Sequence, residues 1–305
     1  MYVFGIDVGG TNVKLGLFND KKELLDKWSI ATNKNSVISD IVNSILEYCK
    51  NQNISKESII GYGIGIPGLV ANNIALNCVN LNWKNIDVVK EFQKEIGYDA
   101  KVIVANDANL AAFGEYSLYD DKYKTIIFIT LGTGVGGGVI TNGQIVEGAN
   151  GLSGEIGHII LDNEFKFLCS CGRRGCLETI ASATGILRLA NYFLEIEKKE
   201  FRYSSAKEVI DDAKLGNELA IKAVDIACLN IAKAFSILSV AINPDAYIIG
   251  GGVSAAGEYL LEKIKHFYLL DCFENAKNVD IIVSKLRNDA GIYGCATLIL
   301  KELRG

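Results

Sequence analysis

The chain has 305 residues, more than a single hydrophobic core usually organises, so two domains are expected. Its 31 basic and 36 acidic side chains leave a net charge of −5 with no long basic run, which argues against nucleic acid or an anionic membrane as the main partner. Eight cysteines without a basic leader before the first apolar run fit reduced thiols in the cytoplasm better than a secreted disulfide scaffold. The uncharged run 125–146 is broken by glycines, and the run 234–257 carries Asp245 and is cut by Pro244 and glycines. Neither makes the ~20-residue apolar helix that a bilayer needs, so a soluble protein is expected.

In chain order, an apolar strand over 2–6 continues into DVGGTNVKLGLF, where Asp7, Gly9, Gly10 and Thr11 form the turn to a second strand. The tip of such a turn offers backbone N–H groups and a hydroxyl, although an ordinary hairpin has the same composition. A third strand is expected over 24–32. A helix follows over 36–50, with Ile38, Ile41, Val42, Ile45 and Leu46 on its apolar face. The run IIGYGIGIPG reads as a strand over 59–66 ending in a Pro67-Gly68 turn. In CVNLNWKNID, Trp83 reads as an anchoring aromatic. A strand over 101–105 leads to Asn106-Asp107, which is both a routine helix N-cap and the strand end where open α/β sheets place ligands. The short charged segment 119–124 is the expected domain junction.

The densest stretch is 131–178. LGTGVGGGVI sets Gly132, Thr133 and Gly134 between two apolar runs, a twin of the first turn. Two such turns, each opening one half of the chain, suggest a duplicated architecture that holds phosphates on backbone N–H groups. GEIGH places Glu155 and His158 three apart, and CSCGRRGCLE crowds Cys169, Cys171 and Cys176 ahead of Glu178. Three cysteines and His158 have the ligand count of a closed tetrahedral zinc site, which is structural because the protein fills all four positions. Glu155 and Glu178 also permit the paired-carboxylate reading of glycoside hydrolysis. Paired phosphate turns have no job in that reaction. Arg173 and Arg174 read as solvent-facing, and Cys49, Cys78, Cys228, Cys272 and Cys295 as inert thiols in apolar settings.

Beyond residue 180 the pattern is mostly helical, over 182–197, 204–214 and 217–242, the last stopped by Asn243-Pro244. A strand over 246–249 runs into Gly250-Gly251-Gly252. That arrangement either brings backbone close to a flat or anionic ligand or makes a packing turn. A strand over 279–284 and a helix over 288–303 complete the chain.

The stretch with Leu131, Gly134, Gly136, Val139, Gly148, Gly154, Gly157-His158 and an uninterrupted CxCGxxGCxE resembles the signature of the ROK family of sugar kinases and repressors. Further matches extend over nearly the whole chain. The resemblance implies an α/β, two-domain actin-like ATPase (ribonuclease H-like) fold, duplicated, with an interdomain cleft. A small domain would span 1–118, joined by a C-terminal helix over 289–305, and a large domain with the zinc motif would span 119–288. The implied activity is ATP-dependent phosphorylation of the 6-hydroxyl of a hexose: glucose first, N-acetylmannosamine second, fructose behind. Asp107 would be the catalytic aspartate, with Gly68, Asn80, Asn106, Glu155, His158 and Glu178 also at the sugar. Asp7 would hold Mg²⁺ through water. Gly9, Gly10, Thr11, Gly132, Thr133 and Gly134 would meet the phosphates of ATP, and Gly251 and Gly252 its adenosine. A homodimer is also implied. The competing reading is a non-catalytic, sugar-sensing regulator. Repressors of the family carry a helix-turn-helix before the first turn, whereas here Asp7 follows only six residues.

Overall fold

β1 (Tyr2–Val8) is buried along most of its length because it lies mid-sheet, with apolar side chains on both faces. It pairs antiparallel with β2 (Asn12–Asn19), which pairs with β3 (Leu24–Ala31). On its other edge it runs parallel to β4 (Ile59–Ile66), itself parallel to β8 (Val102–Asn106). The structure, a computed structural model, describes residues 1–119 and 121–304. They divide into two compact units: Met1–Asp120 with Glu147–Leu152 and Asn288–Gly305, and Asp121–Val146 with Ser153–Arg287. The expected junction at 119–124 includes Asp120, and the expected terminal segment includes Gly305; both lie outside the described residues.

Alternation along β1 splits the first unit's core in two. Phe4 and Ile6 pack with Ile41 and Ile45 of α1 (Val37–Asn51) and Phe92 of a later helix. Val3, facing the other way, packs with Phe18 and with Ile292, Ala296 and Ile299 of the C-terminal helix. The apolar face of α1 is Val37, Ile41, Val42, Ile45 and Cys49, a repeat of four. Leu46, expected on that face, is 46% exposed, and Ile38 is only half-buried.

The segment after Pro67 is more regular than expected. β5 (Leu69–Ala71), β6 (Ile74–Cys78) and β7 (Trp83–Asp87) form a small antiparallel sheet. Its first hairpin turns on Asn72 and Asn73, both at positive φ, the conformation of a two-residue type I′ turn. Asp87 then caps α2 (Val88–Ile96) by accepting the Lys90 N–H at 3.1 Å, and Gly97 at φ 80° ends it.

In the second unit, β9 (Thr125–Leu131) and β10 (Val135–Thr141) form an antiparallel pair extended by β11 (Gln144–Ile145). The parallel side of β9 is β12 (Ala246–Gly250), followed by β13 (Asp280–Val283). Both five-stranded sheets thus share one order: three antiparallel strands, then two parallel ones. The core joins Ile127 and Ile129 to α5 (Ala183–Ile196), α6 (Ala206–Lys214), α7 (Glu218–Ala241) and α8 (Glu258–Asp271). The four-residue α4 (Glu178–Ala181) precedes α5. Asn217 caps α7 through the N–H groups of Leu219 and Ala220, and Pro244 lies just past its end. Among the described residues α7 alone is long and apolar enough to cross a membrane by length and composition. Its Val224, Ile231 and Phe235 are fully buried in this core instead.

Back in the first unit, α9 (Ala290–Arg304) lies backbone-to-backbone on β4 and on α3 (Asp107–Tyr116). A Cβ on Gly63 would strike the Cys295 carbonyl, and one on Gly294 the Leu110 carbonyl. Only glycine permits that approach.

Candidate functional site

The first unit gathers its candidate residues at the C-terminal edge of its parallel strands. Asp7 pairs in register with Gly65, and Asn106 with Ile66, so the ends of β1, β4 and β8 lie side by side. Asn106 uses both ends of its amide. Its oxygen caps α3 by accepting the Asn109 N–H at 3.0 Å, and its Nδ2 donates to the Gly68 carbonyl at 3.0 Å. Asp107, the first residue of α3, accepts the Ala108 N–H at 2.8 Å. A Cβ built on Gly65 would lie 3.6 Å from the Asp107 Cα. Asp7 and Asp107 both raise the proton affinity of the Cys295 thiol, which burial alone already pushes well up. The Cys295 thiol donates to the carbonyl of Ile6, the residue before Asp7, at 3.2 Å.

Burial raises the Asp7 pKa as well, opposed by the Lys14 ammonium 3.9 Å away. Lys14 in turn donates to the Asn288 carbonyl at 2.7 Å. The turn itself is closed by Gly9 N–H to Asn12 C=O at 3.0 Å. Thr32, just past β3, secures it twice: its N–H donates to Thr11 C=O and its hydroxyl to Gly9 C=O, each at 2.8 Å. Asn80 adjoins this turn, since a Cβ on Gly10 would meet its Cβ at 3.9 Å. Sequence reasoning missed Lys14 and Thr32: nothing local marks a threonine 21 residues beyond Thr11 as the turn's anchor.

In the second unit, Gly132 N–H donates to Gly134 C=O at 3.0 Å, and Ala183 N–H to Gly132 C=O at 2.8 Å. Thr133 is exposed at the tip. Gly251, at φ 82°, abuts Leu131 so closely that a Cβ would fall 2.6 Å from its backbone. Gly252 opens a short 3-10 turn, and the α-helix that follows begins at Glu258. Beside it is a cavity of about 340 Å³, walled by Ala183, Ala206, Ile210, Val253 and Ala256, with Lys214 also lining it. The α6 residues here were not anticipated, because their apolar spacing reads as ordinary core.

His158, Cys169, Cys171 and Cys176 bring their ligand atoms within 4.8 Å of one another, a set that can hold a metal ion. The Cys171 and Cys176 sulfurs are 3.7 Å apart, and His158 Nδ1 is 3.6 Å from the Cys169 sulfur. Metal–sulfur bonds of about 2.3 Å in a tetrahedron require sulfur–sulfur edges of about 3.8 Å. The donor set therefore fits such an ion. The backbone N–H and then the guanidinium of Arg173 pull the exposed Cys171 thiol down to about 6, while burial pushes Cys176 up to about 12. Arg173 is thus more than a solvent-facing residue: it also donates to the His158 carbonyl at 3.0 Å. On the far side of the imidazole, Nε2 lies 3.9 Å from a Glu155 carboxylate oxygen. Glu178 accepts the Val135 N–H at 3.2 Å on one oxygen and the Ser170 hydroxyl at 3.2 Å on the other.

Two sheets of one strand order, each opened by a glycine turn, belong to a duplicated α/β protein of the actin-like ATPase (ribonuclease H-like) fold. More particularly, the chain belongs to the ROK family, whose model matches residues 3–302. It is similar to a glucokinase of Halalkalibacterium halodurans, 37% identical over 315 residues that cover 98% of this chain and 94% of that one. An N-acetylmannosamine kinase of Escherichia coli is 29% identical over 310 residues, covering 99% of each. The crystal structure of a ROK family glucokinase from Streptomyces griseus, in complex with glucose and AMPPNP, matches with a TM-score of 0.76 and 26% identity, covering 98% of this chain and 99% of that one.

Proposed function

We propose that this protein is an ATP-dependent hexose kinase that phosphorylates the 6-hydroxyl of glucose. One observation carries the reading: Asp7 and Asp107 stand at strand ends on one sheet edge that also holds a glycine turn, in a chain 37% identical to a glucokinase. Asp107 accepts the proton of the attacking hydroxyl and orients its oxygen. Phosphoryl transfer has a loose transition state, so this positioning and charge neutralisation are most of what catalysis requires. Gly68, Asn80, Asn106, Glu155, His158 and Glu178 bind the remaining hydroxyls, where a wrong epimer leaves buried polar atoms unpaired. Both Glu178 oxygens have protein partners, but a carboxylate retains lone pairs for a sugar hydroxyl.

Gly9, Gly10, Gly132 and Gly134 bring the two turns close to the phosphates, which the N–H groups of Gly10 and Gly134 and the hydroxyls of Thr11 and Thr133 receive, while the Gly9 and Gly132 N–H groups close the turns. Gly251 and Gly252, with the neighbouring cavity, take the nucleoside. Asp7 suits a hard cation: its carboxylate is costly to charge alone, and Mg²⁺ held through water would offset that cost and the phosphate charge. Zinc is the ion we assign to the Cys/His cluster, where it would fix His158 and take no part in chemistry.

In this reading residues 1–118, completed by 289–305, form a small domain and 119–288 a large one, in a cytoplasmic homodimer that engages neither nucleic acid nor membrane. Purified protein given ATP, Mg²⁺ and a panel of hexoses should turn over glucose with the highest kcat/KM. No turnover of any hexose above background sinks the reading. The E. coli relative supports N-acetylmannosamine as the second substrate, ahead of fructose, and a higher kcat/KM for it would reassign the enzyme.

A further inference from the structure

Glu178 joins two pieces of the second unit that have no sequence relation. Its Oε2 accepts the Val135 N–H at 3.2 Å, at the foot of the 132–134 turn. A Cβ on Gly134 would collide with that same oxygen, so the carboxylate lies directly against the turn. Its Oε1 accepts the Ser170 hydroxyl at 3.2 Å and has the Cys169 sulfur at 3.5 Å, both from the loop that supplies the metal ligands. A metal-bound Cys169 has no proton to donate, so Ser170 carries the link in the loaded protein. One short turn further on, Ala183 N–H holds the Gly132 carbonyl. The Cys/His loop and the turn are therefore bridged by a single charged side chain.

We propose that Glu178 is a positioning residue, a brace through which the Cys/His loop sets the shape of the 132–134 turn and hence its hold on nucleotide phosphate. The nucleotide half of this claim rests on the kinase reading; the brace does not. Losing the metal frees the loop, the carboxylate loses its fixed partner, and the Val135 N–H is no longer held. The first turn is held by Thr32 instead.

Hydrogen exchange on the intact protein tests the brace. Chelating the metal should speed exchange about tenfold in peptides spanning 131–136 and leave those spanning 8–12 unchanged, the scale of one lost charge-assisted hydrogen bond. AMPPNP with Mg²⁺, titrated without sugar, should bind about tenfold more weakly after chelation. Glu178→Ala should reproduce both changes, and chelation should then add little, because two perturbations of one link are not additive. Glu178→Gln, whose amide oxygen still accepts the Val135 N–H, should recover most of the affinity. Ser170→Ala keeps all four metal ligands and guards against a misfolded Glu178 variant; it should show a smaller loss of the same kind. Exchange at 131–136 that ignores chelation, or chelation and Glu178→Ala effects that multiply, overturns the brace. Wild-type protein that binds no AMPPNP, while its exchange responds as described, refutes the kinase reading instead.

Discussion

The turns at 9–11 and 132–134 join strands of the same antiparallel pairing, yet the chain secures them by different means. Backbone and a hydroxyl from Thr32, beside the neighbouring strand, hold the first. The second is gripped by a carboxylate and a helix-start N–H, from Glu178 and Ala183, both downstream of the Cys/His loop. Duplication accounts for the shared frame. The anchors had to be supplied by whatever each sheet has beside it: a third strand in one case, a cross-linked loop in the other. A sheet anchor should be insensitive to metal, and a loop anchor should not.

The largest expected effect separates chemistry from anchoring. Asp107→Asn should lower kcat about 10²–10⁴-fold while hexose affinity stays within about threefold. Unchanged turnover would remove Asp107 from its role. Next in size is the loop. Metal analysis of freshly purified, reduced protein should find about one zinc per chain. Cys171→Ser should lose that metal and about 3 kcal/mol of stability; retention of metal by the variant would break the four-ligand assignment. Thr32→Val tests the sheet anchor and should cost about 1 kcal/mol. Its nucleotide KM should rise a few-fold, with chelator sensitivity unchanged. A Thr32→Val enzyme whose response to chelation disappears would erase the distinction between the two turns.

The smallest effect concerns pH. Burial holds the Asp7 pKa above its ordinary value of 3.8, so the folded protein binds a proton more tightly there than the unfolded chain. Its contribution to stability is full below 3.8 and is lost as pH rises through the raised folded value. Charging this half-buried carboxylate as pH rises therefore costs the ligand-free protein stability. Asp7→Asn should raise its Tm by about 2 °C at pH 7 and by less at pH 4, while abolishing turnover. An Asn variant less stable at pH 7 than at pH 4, relative to wild type, would reverse the sign.

What the sequence discloses and what it withholds follow a physical line. The glycine turns, Asn106-Asp107 and the cysteine cluster are legible because their chemistry is local: adjacent residues make the turn, the cap or the ligand set. The I′ hairpin at Asn72-Asn73 was local too, and the sequence reading passed over it. By contrast, Thr32 at the first turn and Ile210 in the cavity are fixed by chain segments that meet only in the folded unit. The expected burial of Leu46 failed for a related reason: periodicity gives the centre of a buried face, whereas the neighbouring sheet decides its width. Glu178 was legible as a site residue, but its attachment to Val135 was not.

The placement of α9 has a consequence for biosynthesis. Val3 and Phe18 are covered by Ile292, Ala296, Ile299 and Leu300, which are made more than 270 residues later. One face of the nascent first sheet stays uncovered until α9 emerges, although its strands are made long before. The first unit cannot be completed until then, and a chain stalled before residue 290 presents that greasy face to chaperones and proteases.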